Sequence, residues 1–266
     1  VVMGMAKEAQ YAAAGGKDRK LAEEAQSNYE DAFEAHTGLQ WLAAFNLGHA
    51  ESLIADFDTA RSDSLFWRRS ALEAAKAAVL AADDLRRVSR SFNNVADSDY
   101  KIAWSLYRRQ LQLDRKLPGA DAARAAENAI DSDRRGIRGE IDTCLSDADQ
   151  GIIQSIAAED TSESAIHHAT RAEILCAKLV IEIEKLDLKK RQSGSPEADS
   201  VDARFREIEK AYEASNKITP KFIRGKNRFL NDDAYPFHIL MERLRSINVE
   251  KSKTYESRLL KAAGYE

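Results

Sequence analysis

The chain has 266 residues, 44% of them hydrophobic and 32% charged, with a formal net charge of -4 and a pI near 5.9. That balance excludes a disordered chain and a polyanion binder acting through bulk charge, and the length admits one large domain or two small ones. Four prolines and 12 glycines, with no proline before Pro118, leave too little turn punctuation for sheets, so an all-α fold is expected.

No run approaches the ~18 to 20 apolar residues needed to span a bilayer. The apolar opening at 1–6 is ended by Lys7 and Glu8, too short for a signal core, so no membrane partner is expected. Cys144 and Cys176 show no CxxC and no histidine at ligand spacing. Two free thiols, and hence the reducing cytoplasm, are the expectation.

In chain order, apolar periodicity near 3.6 predicts helices over 5–35, 38–57, 63–83, 84–95, 98–117, 120–133, 136–158, 161–191, 198–216 and 237–262. In the second, Leu39, Leu42, Ala43, Asn46, Ala50, Leu53 and Phe57 form the predicted core stripe. In the eighth, Ile166, Ala169, Ala172, Leu175, Cys176, Leu179 and Ile183 do the same, behind an Asp160–Glu163 capping pair. Pro118, Pro196, Pro220 and Pro236 punctuate the chain, and Ser193-Gly194-Ser195-Pro196 is the clearest loop. The expected domains are a helical array over 1–192 and a C-terminal helical region over 193–266 with an irregular basic segment, with one continuous domain as the alternative. Short connections and small packing faces predict antiparallel hairpins in an array, with a compact multi-helix bundle as the alternative.

The segment Asn46-Leu47-Gly48-His49-Ala50-Glu51-Ser52-Leu53-Ile54-Ala55-Asp56-Phe57-Asp58-Thr59-Ala60 resembles the first helix and turn of a tetratricopeptide repeat. Its Leu-Gly pair, Asp-Phe and Ala60 fall at that family's spacing, and Ala71, Ala75, Ala78 and Asp83 resemble its second helix. Glu51 stands where a large apolar residue is usual, Ala55 replaces a glycine, Asp83 stands for proline, and extra residues separate the two pieces. The resemblance implies a curved helical array whose concave face binds a peptide or another protein. The apolar end faces of such an array also admit a homodimer.

Catalytic signatures are absent: there is no HExxH, GxSxG, GxGxxG or complete phosphate loop, and no E-x-x-H pair for a di-metal bundle. Glu163 and His167, four apart, supply two metal ligands at most, and a surface hydrogen-bonded pair is the simpler reading. The expectation is therefore a non-enzymatic protein with no cofactor and no metal. Its function class is an adaptor, scaffold or sensor holding a partner protein.

Two surfaces are candidates for that contact. The aromatic and arginine set Trp41, Trp67, Arg68, Arg69, Trp104 and Tyr107 contains the residue types that dominate interface energetics, and Trp67 is the one expected to be exposed. The segment 217–228 carries Lys217, Lys221, Arg224, Lys226 and Arg228 without an acid, interleaved with Phe222. It gives the alternative function, binding of nucleic acid or a phosphorylated ligand. Arg86-Arg87-Val88-Ser89 also has the pattern of a basophilic kinase site.

Overall fold

A computed structural model describes residues 1–36, 38–57, 63–114, 123–158, 164–185, 196–220, 236–247 and 249–265. Those residues form helices and no strand, so the fold is all-α. The chain divides into two compact units, Val1–Ala158 and Glu159–Glu266.

The first unit holds α1 (Val2–Ala13), α2 (Arg19–Glu34), α3 (Gln40–Phe57), α4 (Asp63–Ala81), α5 (Leu85–Asp114) and α6 (Ala123–Ala157). Each helix packs on the next. Neighbours run antiparallel: Lys7 pairs with Glu24 at 2.6 Å while Gly4 sits against Tyr29, and Ser89 meets Ser155 while Ala96 meets Gly151. α3 and α5 run parallel, since Trp41 reaches Ser91 at 2.9 Å and Lys101 reaches Ser52 at 3.2 Å.

Small side chains set the spacing. The buried face of α3 is Ala43, Ala44, Leu47, Gly48, Ala50, Ile54 and Ala55, rotated from the predicted stripe, whose Leu39 stands exposed. A Cβ on Gly48 would meet the Ala71 carbonyl oxygen at 3.0 Å, so the glycine lets the backbones of α3 and α4 approach closely. Tyr29 is fully buried and packs with Ala25, Leu47, Ala50 and Ala74, a cluster drawn from three helices and joined by Val1. An alanine-rich core buries little area per residue, and at ~25 cal/mol per Å² its stabilisation is spread thinly over many close contacts.

Several predicted boundaries moved. The helix expected over 5–35 is two helices, because Gly15 and Gly16 adopt φ of 71° and 69°, conformations that end a right-handed helix. Asp18 then caps α2, accepting from the Lys20 amide at 3.1 Å. The breaks expected at 95–98 and 133–136 do not occur, and α5 and α6 run through them. At the first, Ala96 packs flat on Gly151, and that tertiary contact outweighs the weak helix propensity of the neighbouring Asn and Asp residues.

The second unit holds α7 (Ser164–Lys185), α8 (Pro196–Ile218), α9 (Pro236–Ile247) and α10 (Val249–Ala262). Pro196 and Pro236 each occupy the first helical position, where a missing N–H costs nothing. The expected 237–262 helix is two, α9 and α10. α7 packs on α8 and α9, and α10 packs on the same two, closing a ring of four helices. Inside it lie Ile174, Cys176, Leu179, Ile183, Phe205, Ile208, Tyr212, Phe237 and Leu259. The boundary expected at 192/193 falls within this unit, because the apolar stripe of α7 is buried against α8 and α9. The Asp160–Glu163 pair and Pro118 lie outside the described residues.

Candidate functional site

The aromatic and arginine residues singled out in the sequence separate into three groups. Trp104 and Tyr107 stack at 5.0 Å between centroids and are turned into the core, so neither presents the docking surface expected of it. The α5 register decides this: with Tyr100 and Ala103 they form its buried face. Arg68 is also buried, its Nη2 paired with Asp56 Oδ1 of α3 at 3.0 Å, so it ties α4 to α3 rather than reaching outward.

Trp41 is half-buried where α3 meets α5. It stacks on Phe45 at 5.0 Å, donates from Nε1 to Ser91 Oγ, and lies 5.0 Å beneath the Arg87 guanidinium. Arg87 is in turn held by Asp83 at 2.6 Å. These contacts spend most of the polar capacity of Trp41 inside the unit.

The α4 helix presents the third group. Trp67, expected to be exposed, is half-buried, and its neighbour Phe66 is 65% exposed and meets it edge-on at 5.3 Å. Phe66, Arg69, Glu73, Lys76 and Leu80 recur at spacings of three and four, which places them on one stripe, and all five are exposed. Leu80, at the far end, is 89% exposed. Helical periodicity carried this signal: the residues between them, Ala71, Ala74, Ala75 and Ala78, are the buried face.

α6 lies alongside through α5, which packs on both helices. Arg69 pairs with Glu140 of α6, and Lys76 with Glu73 at 2.9 Å. Beneath them, Asp99 of α5 is buried, and burial together with the charge of Asp147 pushes its carboxyl up to about 6. Burial, then Asp99, Glu140 and Asp147, raise the Cys144 thiol to about 11. Cys144 is therefore a protonated, weakly nucleophilic thiol near neutral pH. A second buried carboxyl, Glu51 of α3, is raised to about 7 by burial, against the opposing hydrogen bond from Ser70 Oγ at 2.6 Å.

In the second unit, a groove of about 450 Å³ is lined by Glu209, Glu213, Asn216, Lys217, Arg258 and Lys261. Glu209 accepts two hydrogen bonds from Arg258, which also covers the Phe205 ring at 5.3 Å. Of the five cations expected to bind an anion, Lys217 borders this groove; Lys221, Arg224, Lys226 and Arg228 lie outside the described residues. His167 is buried in α7, and Glu163 is outside the described residues.

Ser89 is buried, and its hydroxyl donates to the Ser155 carbonyl at 2.9 Å. A kinase cannot reach it in the folded unit, which corrects the phosphorylation reading. Both cysteines are free thiols, Cys176 buried. Among the described residues no group of three His, Cys, Asp or Glu side chains is placed to hold a metal ion, and no helix is long and apolar enough to cross a membrane. Compared with known protein families, curated proteins and solved structures, the chain matches none of them.

Proposed function

We propose that the protein is a non-enzymatic interaction module, an adaptor or the sensor part of a larger assembly, that holds a segment of a partner protein against the outer stripe of α4. The observation that carries this reading is Phe66: a large aromatic ring left 65% in water, braced edge-on by Trp67, on a helix whose opposite face is packed. A rigid aromatic pair of this kind gains much from desolvation and loses little side-chain entropy on binding. Trp67 and Arg69 belong to the surface, whereas Arg68, Trp104 and Tyr107 hold it in place from below. The parallel first helices of adjacent hairpins support the array architecture that the tetratricopeptide resemblance implies. Two free thiols, one deep in a core, support a reducing compartment such as the cytoplasm.

Affinity capture from source lysate, with and without nuclease, tests the reading. The expected result is a protein retained after nuclease treatment and lost from the F66A/W67A double variant, whose circular dichroism matches that of the parent. Capture unaffected by the double substitution, or abolished by nuclease, overturns it.

A further inference from the structure

In the second unit the groove of about 450 Å³ runs between α8 and α10. The two helices are parallel, since Asp202 meets Tyr255, Glu209 meets Arg258, and the Asn216 carboxamide lies against Gly264. Both helices therefore finish at the same end of the groove, with Lys217 and Lys261 in their last turns.

Arg258 is fixed in place on the groove wall. Its Nε donates to Glu209 Oε1 at 2.7 Å and its Nη2 to Oε2, while the guanidinium covers the Phe205 and Tyr255 rings at 5.3 and 5.6 Å. The pair is neutral, and it leaves Nη1 without a hydrogen bond among the described residues. The other charges on the lining are Lys217, Lys261 and Glu213, all exposed, and none forms an ion pair among the described residues. Glu213 precedes Lys217 by four residues, an order in which such charges commonly pair on a helix, yet the two stay apart.

This charge inventory selects the ligand. Two uncommitted ammonium groups and the unused Nη1 call for two anionic groups, and the uncommitted carboxylate calls for a cationic donor. A nucleic acid is disfavoured: Glu209, Glu213 and two helix C-termini, each worth roughly half a negative charge, repel a string of phosphates. The groove volume falls in the range of small-molecule sites, roughly 300–1,000 Å³.

We infer that the α8–α10 groove binds a small acidic amino acid, with its two carboxylates on Lys217, Lys261 and Arg258 Nη1 and its ammonium group on Glu213. The locked guanidinium gives one carboxylate a fixed partner at little cost in side-chain entropy. The site lies in the other unit from the α4 stripe and does not depend on the interaction-module reading.

The test titrates glutamate into the isotope-labelled full chain and follows the amide resonances. Saturable shifts are expected in the last turns of α8 and α10. Glutarate lacks the ammonium group and glutamine lacks the second carboxylate. Each is expected to bind roughly tenfold more weakly, the usual worth of one charge-assisted hydrogen bond. Lys261→Met is expected to weaken glutamate binding in the same way. Glu213→Gln is expected to weaken glutamate binding and leave glutarate unchanged, a split that a merely structural effect does not produce. The absence of saturable shifts with glutamate, equal binding of glutamate and glutarate, or an equal response to sulfate overturns the proposal. An E213Q variant that weakens both ligands alike also overturns it.

Discussion

Ser89 and Ser155 exchange hydrogen bonds across the α5–α6 seam: each hydroxyl donates to the other residue's carbonyl, at 2.9 and 2.8 Å. Both residues are buried, so the pair acts as a polar clamp inside an apolar seam. Ser89→Ala or Ser155→Ala is expected to cost about 1 kcal/mol each, the ordinary net worth of one buried hydrogen bond. Ser89→Asp is expected to cost about 3–5 kcal/mol, because it buries an unpaired charge. Urea melts of the three variants check the order, and an aspartate variant as stable as the parent would contradict it.

Stability of the first unit depends on pH through Glu51. Its carboxyl rises from 4.5 to about 7, so the native state holds that proton more tightly than the unfolded chain does. The unit is therefore most stable below about pH 4.5 with respect to this group and loses stability as pH climbs through about 7. The full loss is about 3 kcal/mol at ~1.4 kcal/mol per pKa unit. Asp99, raised from 3.8 to about 6 by burial and then by Asp147, with Lys76 opposing, acts in the same direction over a lower range. Denaturant melts at acidic and mildly alkaline pH should show the fall in the parent and a smaller fall in Glu51→Gln. A parent equally stable at both ends would refute the assignment.

Two glycines make opposite predictions. At Gly48 an added Cβ meets the Ala71 carbonyl at 3.0 Å, so Gly48→Ala must push α3 from α4 and is expected to destabilise by about 1 kcal/mol despite better helix propensity. At Gly136, within α6 and exposed, a Cβ meets nothing within 4 Å. Gly136→Ala is expected to stabilise by about 0.5–1 kcal/mol. Thermal melts of the two single variants give the signs directly.

Arg68 separates anchoring from recognition. Its Nε and Nη1 are buried without partners, while Asp56 keeps its own access to water. Arg68→Met fills the same space without the desolvated charge and is expected to leave stability within about 1 kcal/mol of the parent. Partner capture by R68M should match the parent, in contrast to F66A/W67A. Loss of capture at unchanged stability would return Arg68 to the binding surface.

Much of the architecture was legible from local chemistry. The all-α class followed from scarce proline and glycine, and most of the stripe of α7 from a plain 3.6-residue period, with Ala169, Ala172, Leu175, Cys176, Leu179 and Ile183 buried as expected and Ile166, at its start, exposed. The Gly15-Gly16 break was also available as a signal, since paired glycines permit the positive φ that both adopt. The candidate site was less legible. Trp104, Tyr107 and Phe66 are all large aromatic residues on helices, and composition gives no reason to bury the first two and expose the third.

By itself the sequence determined that this protein is helical, where most turns fall, and which residue types are available for recognition, because those properties depend on backbone propensity and short-range periodicity. Tertiary structure alone decided that Arg68 faces Asp56 while Arg69 faces Glu140, and that Asp99 is buried within the field of Asp147. On an alanine-rich helix the apolar stripe is broad and its centre is weakly marked. Its rotation is fixed only when Gly48 and Gly151 admit a neighbouring backbone, and that rotation sends one side chain into the core and the next into solvent.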